Sequence, residues 1–292
     1  MSKKPSEQPG KSRRLGVHTS IAGGVLLSLE RAHDLGSNTM QIFSHNPRQW
    51  AVSDIEPSTA SAFRKLKEKL DIRPVFVHTS YLINLAAADS GILEKSVKLM
   101  KRELDLADTL GAEYVVVHTG SLSDGSGETG RRRAIESLRR LAAEGKWKTR
   151  LLLENTAGEK GDITSRMEDL AEIIDKLGSP LIAGITLDTC HAFAAGYDVR
   201  KSDGLSLLVR DIEKHVGIDR VKLIHLNDAK KGLGSRVDRH WHIGEGEIGL
   251  KGLERLVNSR AFRNIPLILE TPKKTEEDDP MNLRTVRGMF DD

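Results

Sequence analysis

Residues 114–120 read Tyr114-Val115-Val116-Val117-His118-Thr119-Gly120, and the fold can be read outward from this stretch. Its apolar, mostly β-branched run has no alternating polar residue, which fits a strand covered on both faces. A histidine then ends the run. The same design recurs along the chain, at residues 15–17, 40–43, 74–77, 151–153, 184–187, 221–224 and 266–269, which makes eight runs in all. Charge-rich amphipathic stretches lie between them, most clearly at 91–110, 165–177 and 205–216,. Gly111, Gly178 and Gly217 follow these stretches, where a helix often ends in a left-handed residue,. Successive runs are about 25 to 45 residues apart, room for one strand and a returning helix. The spacing predicts an α/β chain, a closed (β/α)8 TIM barrel forming a single domain over residues 15–292. Residues 1–14, with Lys3, Lys4, Lys11, Arg13 and Arg14, read as a disordered basic tail,.

Composition sets the limits. A chain of 292 residues with 38% hydrophobic and 30% charged residues can bury a sizeable core and remain soluble,. The net charge of +3 neither demands nor excludes nucleic acid,. The single cysteine, Cys190, rules out an intramolecular disulfide and fits a reducing compartment,. No signal peptide is visible, and no apolar run approaches the roughly 20 residues that span a bilayer. The expectation is a cytoplasmic protein with no membrane partner, monomeric by default. The acidic run at 276–279 reads as a solvated loop, as does His45.

The chemistry lies in how the runs end. His78, His118, Glu154, Asp188, His225 and Glu270 each follow an apolar run directly. In a parallel barrel, such positions converge on the carboxyl face of the sheet, where active sites lie. His, Asp and Glu are roughly one residue in six of the chain, so six such endings among eight would arise by chance about once in a thousand draws. Three carboxylates and three imidazoles brought together need cations to offset repulsion and desolvation.

A second set sits close in sequence. His191 comes three residues after Asp188, and Asp238 and His240 are spaced i, i+2, which in extended chain points both side chains one way,. His242 shares that parity and is the decoy of the group. Nine donors exceed the needs of one tetrahedral ion and fit two or three. The mixture of imidazole and carboxylate favours zinc, with manganese a partial alternative, over magnesium. Cys190 reads as a small buried residue rather than a soft ligand.

The strings HTSYLINLA (78–86), ENTAG (154–158), DTCHAFAAGYD (188–198), HLNDAK (225–230), GSRVDRHWHIGEG (234–246) and LETP (269–272) closely resemble the endonuclease IV family, as do GVHTSIAGG (16–24) and NPRQW (46–50). The resemblance runs from about Leu15 to the C-terminus. It implies a barrel holding three zinc ions: His78, His118 and Glu154 at the first, Glu154 bridging to Asp188, His225 and Glu270 at the second, and His191, Asp238 and His240 at the third. It also implies a DNA-repair hydrolase that cuts duplex DNA 5′ to abasic sites and leaves a 3′-hydroxyl and a 5′-deoxyribose phosphate, with Glu154 and Glu270 as catalytic carboxylates. Departures from the family pattern stand at Thr79, Thr119 and the Glu159-Lys160-Gly161 loop, all beside the ligands rather than at them.

DNA contact is expected from loops on the same barrel face. Arg48, Gln49 and Trp50 follow the second run, and Tyr81, Leu82 and Asn84 follow the third. Such tips can wedge into a base stack and hold a flipped nucleotide. For Trp50 and Leu82 the competing reading is ordinary loop packing. His18 is a candidate supporter of the ligands, while His33 and His215 read as helix residues,. Two rival functions fit parts of the same pattern. A metal-dependent sugar isomerase would ring the same barrel with His, Asp and Glu, but it has no need of the third donor set. A non-catalytic binder of damaged DNA would use closed four-ligand sites, whereas three-donor sets leave positions open.

Overall fold

The computed structural model describes residues 13–123 and 125–291. Seven strands come in succession: β1 (Leu15–Val17), β2 (Met40–Phe43), β3 (Val75–His78), β4 (Tyr114–Val117), β5 (Arg150–Glu154), β6 (Ile182–Asp188) and β7 (Val221–His225). A small hairpin of β8 (Asp228–Ala229) and β9 (His240–Trp241) follows, and then β10 (Leu267–Leu269). The eight-stranded sheet has the order β1-β10-β7-β6-β5-β4-β3-β2, and every neighbouring pair is parallel. It closes at β1 and β2, where Thr19 N–H donates to Gln41 O (2.7 Å), Asn38 N–H donates to Leu15 O (3.2 Å) and His18 bridges Gln41. Gly16 permits this approach, because a Cβ there would meet the Thr39 carbonyl.

Helices α1 (Val25–Asp34), α2 (Pro57–Lys69), α3 (Ser90–Leu110), α4 (Gly127–Glu144), α5 (Met167–Leu177), α6 (Thr189–Ala195), α7 (Ser202–His215), α8 (Gly249–Asn258) and α9 (Asp278–Met289) accompany the strands. Gly111 and Gly178 cap α3 and α5 in the left-handed conformation, as their positions foretell. Gly217 also follows its helix as expected: Val216 keeps helical geometry after α7, and Gly217 comes next with φ 91° and its N–H donating to Ile212 O (2.8 Å),. The acidic run is not a plain loop. Asp278 and Asp279 open α9, where carboxylates complement the helix dipole, and Asp278 accepts the N–H groups of Lys274 and Thr275,. Arg13 and Arg14, assigned to the tail by sequence, already grip the barrel. Arg13 donates to Val257 O (2.7 Å), and Arg14 pairs with Asp71 (3.1 Å). The rest of that tail, residues 1–12, lies outside the described residues. No helix among the described residues is long and apolar enough to cross a membrane.

The core has two parts, and their separation explains the site. Most buried apolar residues pack between sheet and helices, Val115 and Val117 of β4 among them. A second, distinct cluster holds Phe76, Val116, Leu152, Leu223 and Ile268. These are the alternate residues of β3, β4, β5, β7 and β10, and they fill the barrel lumen. Each stands two positions before a sequence-predicted ligand: His78, His118, Glu154, His225 or Glu270. A side chain two residues on points to the same side of a strand, so the ligands must rise above the apolar plug. Thr186 stands in the same relation to Asp188 on β6, and both are fully buried.

Candidate functional site

Six strand ends converge as the alternation requires. His78 Nε2 lies 3.3 Å and His118 Nε2 3.1 Å from Glu154 Oε2. The other oxygen, Oε1, lies 3.0 Å from His225 Nδ1, which is also 3.1 Å from Glu270 Oε2 and 4.0 Å from Asp188 Oδ2. The second set joins them. His191 is on α6, one turn beyond Asp188, whose side chain caps that helix by accepting the His191 N–H. Asp238 and His240 return through the hairpin of β8 and β9, in which Ala229 pairs with His240. The buried Asp228 carboxylate holds the far side of this loop by accepting the N–H groups of Gly244, Gly246 and Ile248. His191 Nε2 and His240 Nε2 thereby come within 3.2 and 3.4 Å of Asp238 Oδ1.

Among the described residues, three groups made only of His, Asp and Glu side chains could each hold an ion. They are His78–His118–Glu154, Glu154–Asp188–His225–Glu270 and His191–Asp238–His240, with the donor atoms of each group within 4.8 Å of one another. All nine sequence-predicted donors are among them. The chemistry of the donors fits a borderline divalent cation. Nε2 of both His191 and His240 is buried with carboxylate oxygens close by but no well-aligned hydrogen bond, so each nitrogen is turned toward the centre of the group, where a cation would meet it,. Cys190 lies within reach of Asp188 and His240, but burial pushes its thiol far up, so it stays protonated and a poor ligand,. His242 turns away, and its Nδ1 meets the Asn282 amide at 3.1 Å.

The charges of the site are strongly coupled. Burial alone would push the Glu154 carboxyl up, but His225 and His118 outweigh it and hold it well below the usual range. Glu270 behaves alike: the cost of burial is outweighed mainly by His225 and by the hydrogen bond from His18. Burial would lower His225, yet the carboxylates of Glu270 and Glu154 together lift it to about 9. Burial also opposes the charged form of His191, and Asp188 and Asp238 together raise it well above its ordinary value. The pocket therefore gathers positive charge against its carboxylates, and bound cations would serve the same balance.

Residues behind the donors, which sequence reasoning missed, set their orientation. Gln41 is fully buried on β2; its Oε1 accepts from His225 Nε2 (2.8 Å) and its Nε2 donates to Glu270 Oε1 (2.6 Å). Asn227 donates to Asp188 Oδ2 (2.7 Å) while accepting the Glu270 N–H (2.8 Å). Asn155 accepts the Asp188 N–H (2.8 Å), and its own carbonyl receives His191 Nδ1 (2.8 Å). The available signal was an amide beside a ligand, at 155 and 227, and a lone Gln inside the apolar run of β2. The expectation for His18 holds: its Nδ1 lies 2.9 Å from Gln41 Nε2 and 3.5 Å from Glu270 Oε1.

At the rim, Arg48 and Gln49 are exposed and Tyr81 is 70% exposed, with its ring edge-on to Phe43. Leu82 packs against the core, in keeping with ordinary loop packing, and Trp50 is 40% exposed with the Lys95 ammonium 6.0 Å from its ring. Asn84 is committed elsewhere. Its amide donates to Ser121 O (2.8 Å) and accepts the N–H groups of Ala86 and Ser121, which ties the loop after β3 to the loop after β4. His45, expected in solvent, is instead turned inward onto Glu103.

Comparison with known proteins follows the same lines. Residues 29–289 match a family described as a xylose isomerase-like TIM barrel. The chain is 43% identical over 270 residues to the probable endonuclease 4 of Halothermothrix orenii, an alignment covering 92% of this chain and 97% of the relative. The chain belongs to the endonuclease IV family. A second endonuclease IV relative, the probable endonuclease 4 of Aquifex aeolicus, is 41% identical over 277 residues, covering 94% and 97% of the two chains. The crystal structure of endonuclease IV from Thermus thermophilus matches with a TM-score of 0.83 at 42% identity, covering 94% of this chain and 98% of the other. The barrel description would suit a sugar isomerase equally, but these near full-length endonuclease IV relatives weigh against that alternative. The departures from the endonuclease IV pattern sit in the hydrogen bonds around the donors. Thr79 O receives His78 Nδ1 (2.8 Å), Thr119 Oγ1 donates to Thr164 Oγ1 (3.3 Å), and Glu159 Oε1 accepts the Asp238 N–H (3.1 Å).

Proposed function

We propose that this chain is a zinc-dependent DNA-repair endonuclease that cuts the backbone of duplex DNA on the 5′ side of an abasic site. One observation carries the reading: Glu154 divides its carboxylate between two donor groups, Oε2 toward His78 and His118 and Oε1 toward His225. A carboxylate shared between adjacent sites would hold two ions at the close spacing that two-ion phosphodiester hydrolysis uses. His78, His118 and Glu154 would hold one ion, Glu154, Asp188, His225 and Glu270 a second, and His191, Asp238 and His240 a third. Zinc suits all three sets, with manganese an alternative at part of them. Ions held there would supply a water acidic enough to attack at neutral pH and would offset charge on the phosphoryl oxygens.

The chain's own groups do the positioning. Asn155 and Asn227 fix Asp188, and Gln41 fixes both His225 and Glu270. Glu270 keeps part of its side chain accessible and orients the attacking water in line with the scissile bond,. Attack on phosphorus breaks the P–O3′ bond, so the upstream strand ends in a 3′-hydroxyl and the abasic sugar keeps its 5′-phosphate. Arg48 and Gln49 approach the DNA backbone from the loop after β2, and the exposed Tyr81 enters the stack beside the lesion, with Leu82 behind it. Asn84 serves by shaping that loop.

The test is incubation of the purified protein with a duplex carrying a single abasic analogue, with and without a zinc chelator. A single chelator-sensitive cut 5′ to the analogue is expected. An intact duplex in the presence of zinc would reject the reading.

A further inference from the structure

Helix α3 carries two polar residues, Ser96 and Glu103, on its buried face, both 0% exposed and spaced i, i+7. A carboxylate buried so completely in a helix needs a reason, because unpaired burial of that group is among the costliest in a protein. Its partners give the reason. Glu103 accepts the backbone N–H of Ser80 with both oxygens (3.0 and 3.2 Å), and its Oε1 also meets His45 Nε2 at 2.8 Å. Two turns earlier on the same face, Ser96 Oγ accepts the backbone N–H of Asn84 (3.0 Å),. Ser80 and Asn84 bracket the turn that carries Tyr81 and Leu82. The helix therefore grips this turn at both ends while leaving Tyr81 in solvent.

The same carboxylate reaches the neighbouring loop. His45 lies three residues before Arg48, and its side chain is only 10% exposed. A second tie runs alongside it, from Ser80 Oγ to Pro47 O (2.7 Å), while the Leu82 N–H returns to that Ser80 hydroxyl (3.1 Å). The loop with Arg48 and Gln49 and the loop with Tyr81 and Leu82 thus share one buried anchor, and neither loop contributes a donor to the metal groups apart from what precedes it on β3.

We propose that Glu103 is a positioning residue for lesion recognition: through Ser80 and His45 it holds the loops after β2 and β3 in a single preset relation, so that the protein meets abasic DNA with both tips already placed. This rests on the reading that these loops face abasic DNA. Loops ordered in advance lose less entropy on binding, so the anchor acts on affinity and leaves the chemical step alone. His45 and Glu103 do not touch the reacting groups.

The experiment compares the wild type with Glu103→Leu, Glu103→Gln and His45→Ala, using a fluorescent duplex with one tetrahydrofuran abasic analogue. Each protein is measured for zinc content, kcat, KM and amide exchange across residues 44–50 and 79–84. Glu103→Leu should raise KM by about tenfold or more, through loss of a buried charged hydrogen-bond acceptor, with kcat within about threefold of wild type. Zinc content should not change, and exchange should rise in both loops together. Glu103→Gln, which can still accept from Ser80 and pair with the imidazole, should restore most of the affinity. Should Glu103→Leu not fold, His45→Ala cuts only the link between the loops and is expected to raise KM and to speed exchange at 44–50. Unchanged KM and exchange in the folded variants would overturn the proposal, as would an equal loss in kcat with KM unaltered. If the wild type itself fails to cut, the functional reading is what has failed. The exchange measurements still test the anchor in that case.

Discussion

The Nε2–H of His225 donates to the Gln41 side-chain oxygen at 2.8 Å, and this leaves Nδ1 as the nitrogen facing Glu154 and Glu270. An imidazole can present only one lone pair when neutral, so the partner of the other nitrogen decides which atom is offered to a cation. Gln41 pairs with Phe76 of β3, at the level of the lumen cluster, where Thr186 is the other polar side chain. The Gln41 amide reaches up to His225 and Glu270.

Replacing Gln41 by Leu should therefore weaken metal binding without unfolding the barrel. The expected loss is about 10- to 100-fold in zinc affinity, the usual effect of removing a hydrogen bond behind a ligand. Zinc titration against a competing chelator measures it, and excess zinc should recover most of the cutting. An unaltered affinity would show that His225 needs no such partner.

Glu270→Gln should keep the fold, since the amide can still accept from Gln41. Cutting should fall by about 100-fold or more, because the carboxylate charge at the second donor group is lost. Single-turnover cleavage at saturating zinc is the measurement, and near wild-type rates would remove Glu270 from the catalytic role.

Protons and zinc should compete. In protein stripped of metal, His225 is lifted to about 9 and so carries a proton near neutral pH that zinc must displace,. Affinity should rise with pH up to that value, and titration calorimetry in buffers of different ionisation enthalpy should report proton release. The stability consequence has the opposite sign. A group raised on folding stabilises fully below its unfolded value near 6.5 and loses that contribution as pH climbs through about 9,. The stripped protein should thus melt at lower temperature across this window, while zinc-loaded protein should not. A flat melting profile for the stripped protein would contradict the assignment.

Tyr81→Ala should separate recognition from stability. The ring is 70% exposed, so its removal should change stability by no more than about 0.5 kcal/mol,. Affinity for abasic duplex should fall by about tenfold, the value of a lost stacking contact. Binding by anisotropy and melting by fluorescence test the two parts, and unchanged affinity would end the wedge role.

Much of this was legible in the chain alone, for a physical reason. Strands buried on both faces must be apolar throughout, so residues 114–117 and their counterparts stand out from the charged helices, and the polar residue after each run marks the strand's end. The position of that end was less certain. His78, Glu154, Asp188 and His225 are the last residues of their strands, whereas His118 and Glu270 come just after. A continuous apolar run also conceals which residues face the lumen, so the relation of Val116 to His118 and Ile268 to Glu270 emerges only in three dimensions.

The order of residues by itself determined the parallel barrel and singled out the nine candidate donors, because hydrophobic periodicity and side-chain chemistry are local properties written at each position,. Only the tertiary structure decided how Glu154 divides its two oxygens, which nitrogen of His225 faces inward, and that His45 and Glu103, 58 positions apart, meet in the interior. Those outcomes depend on distances between chain segments remote in sequence. Such distances arise when the sheet closes and the helices pack against it.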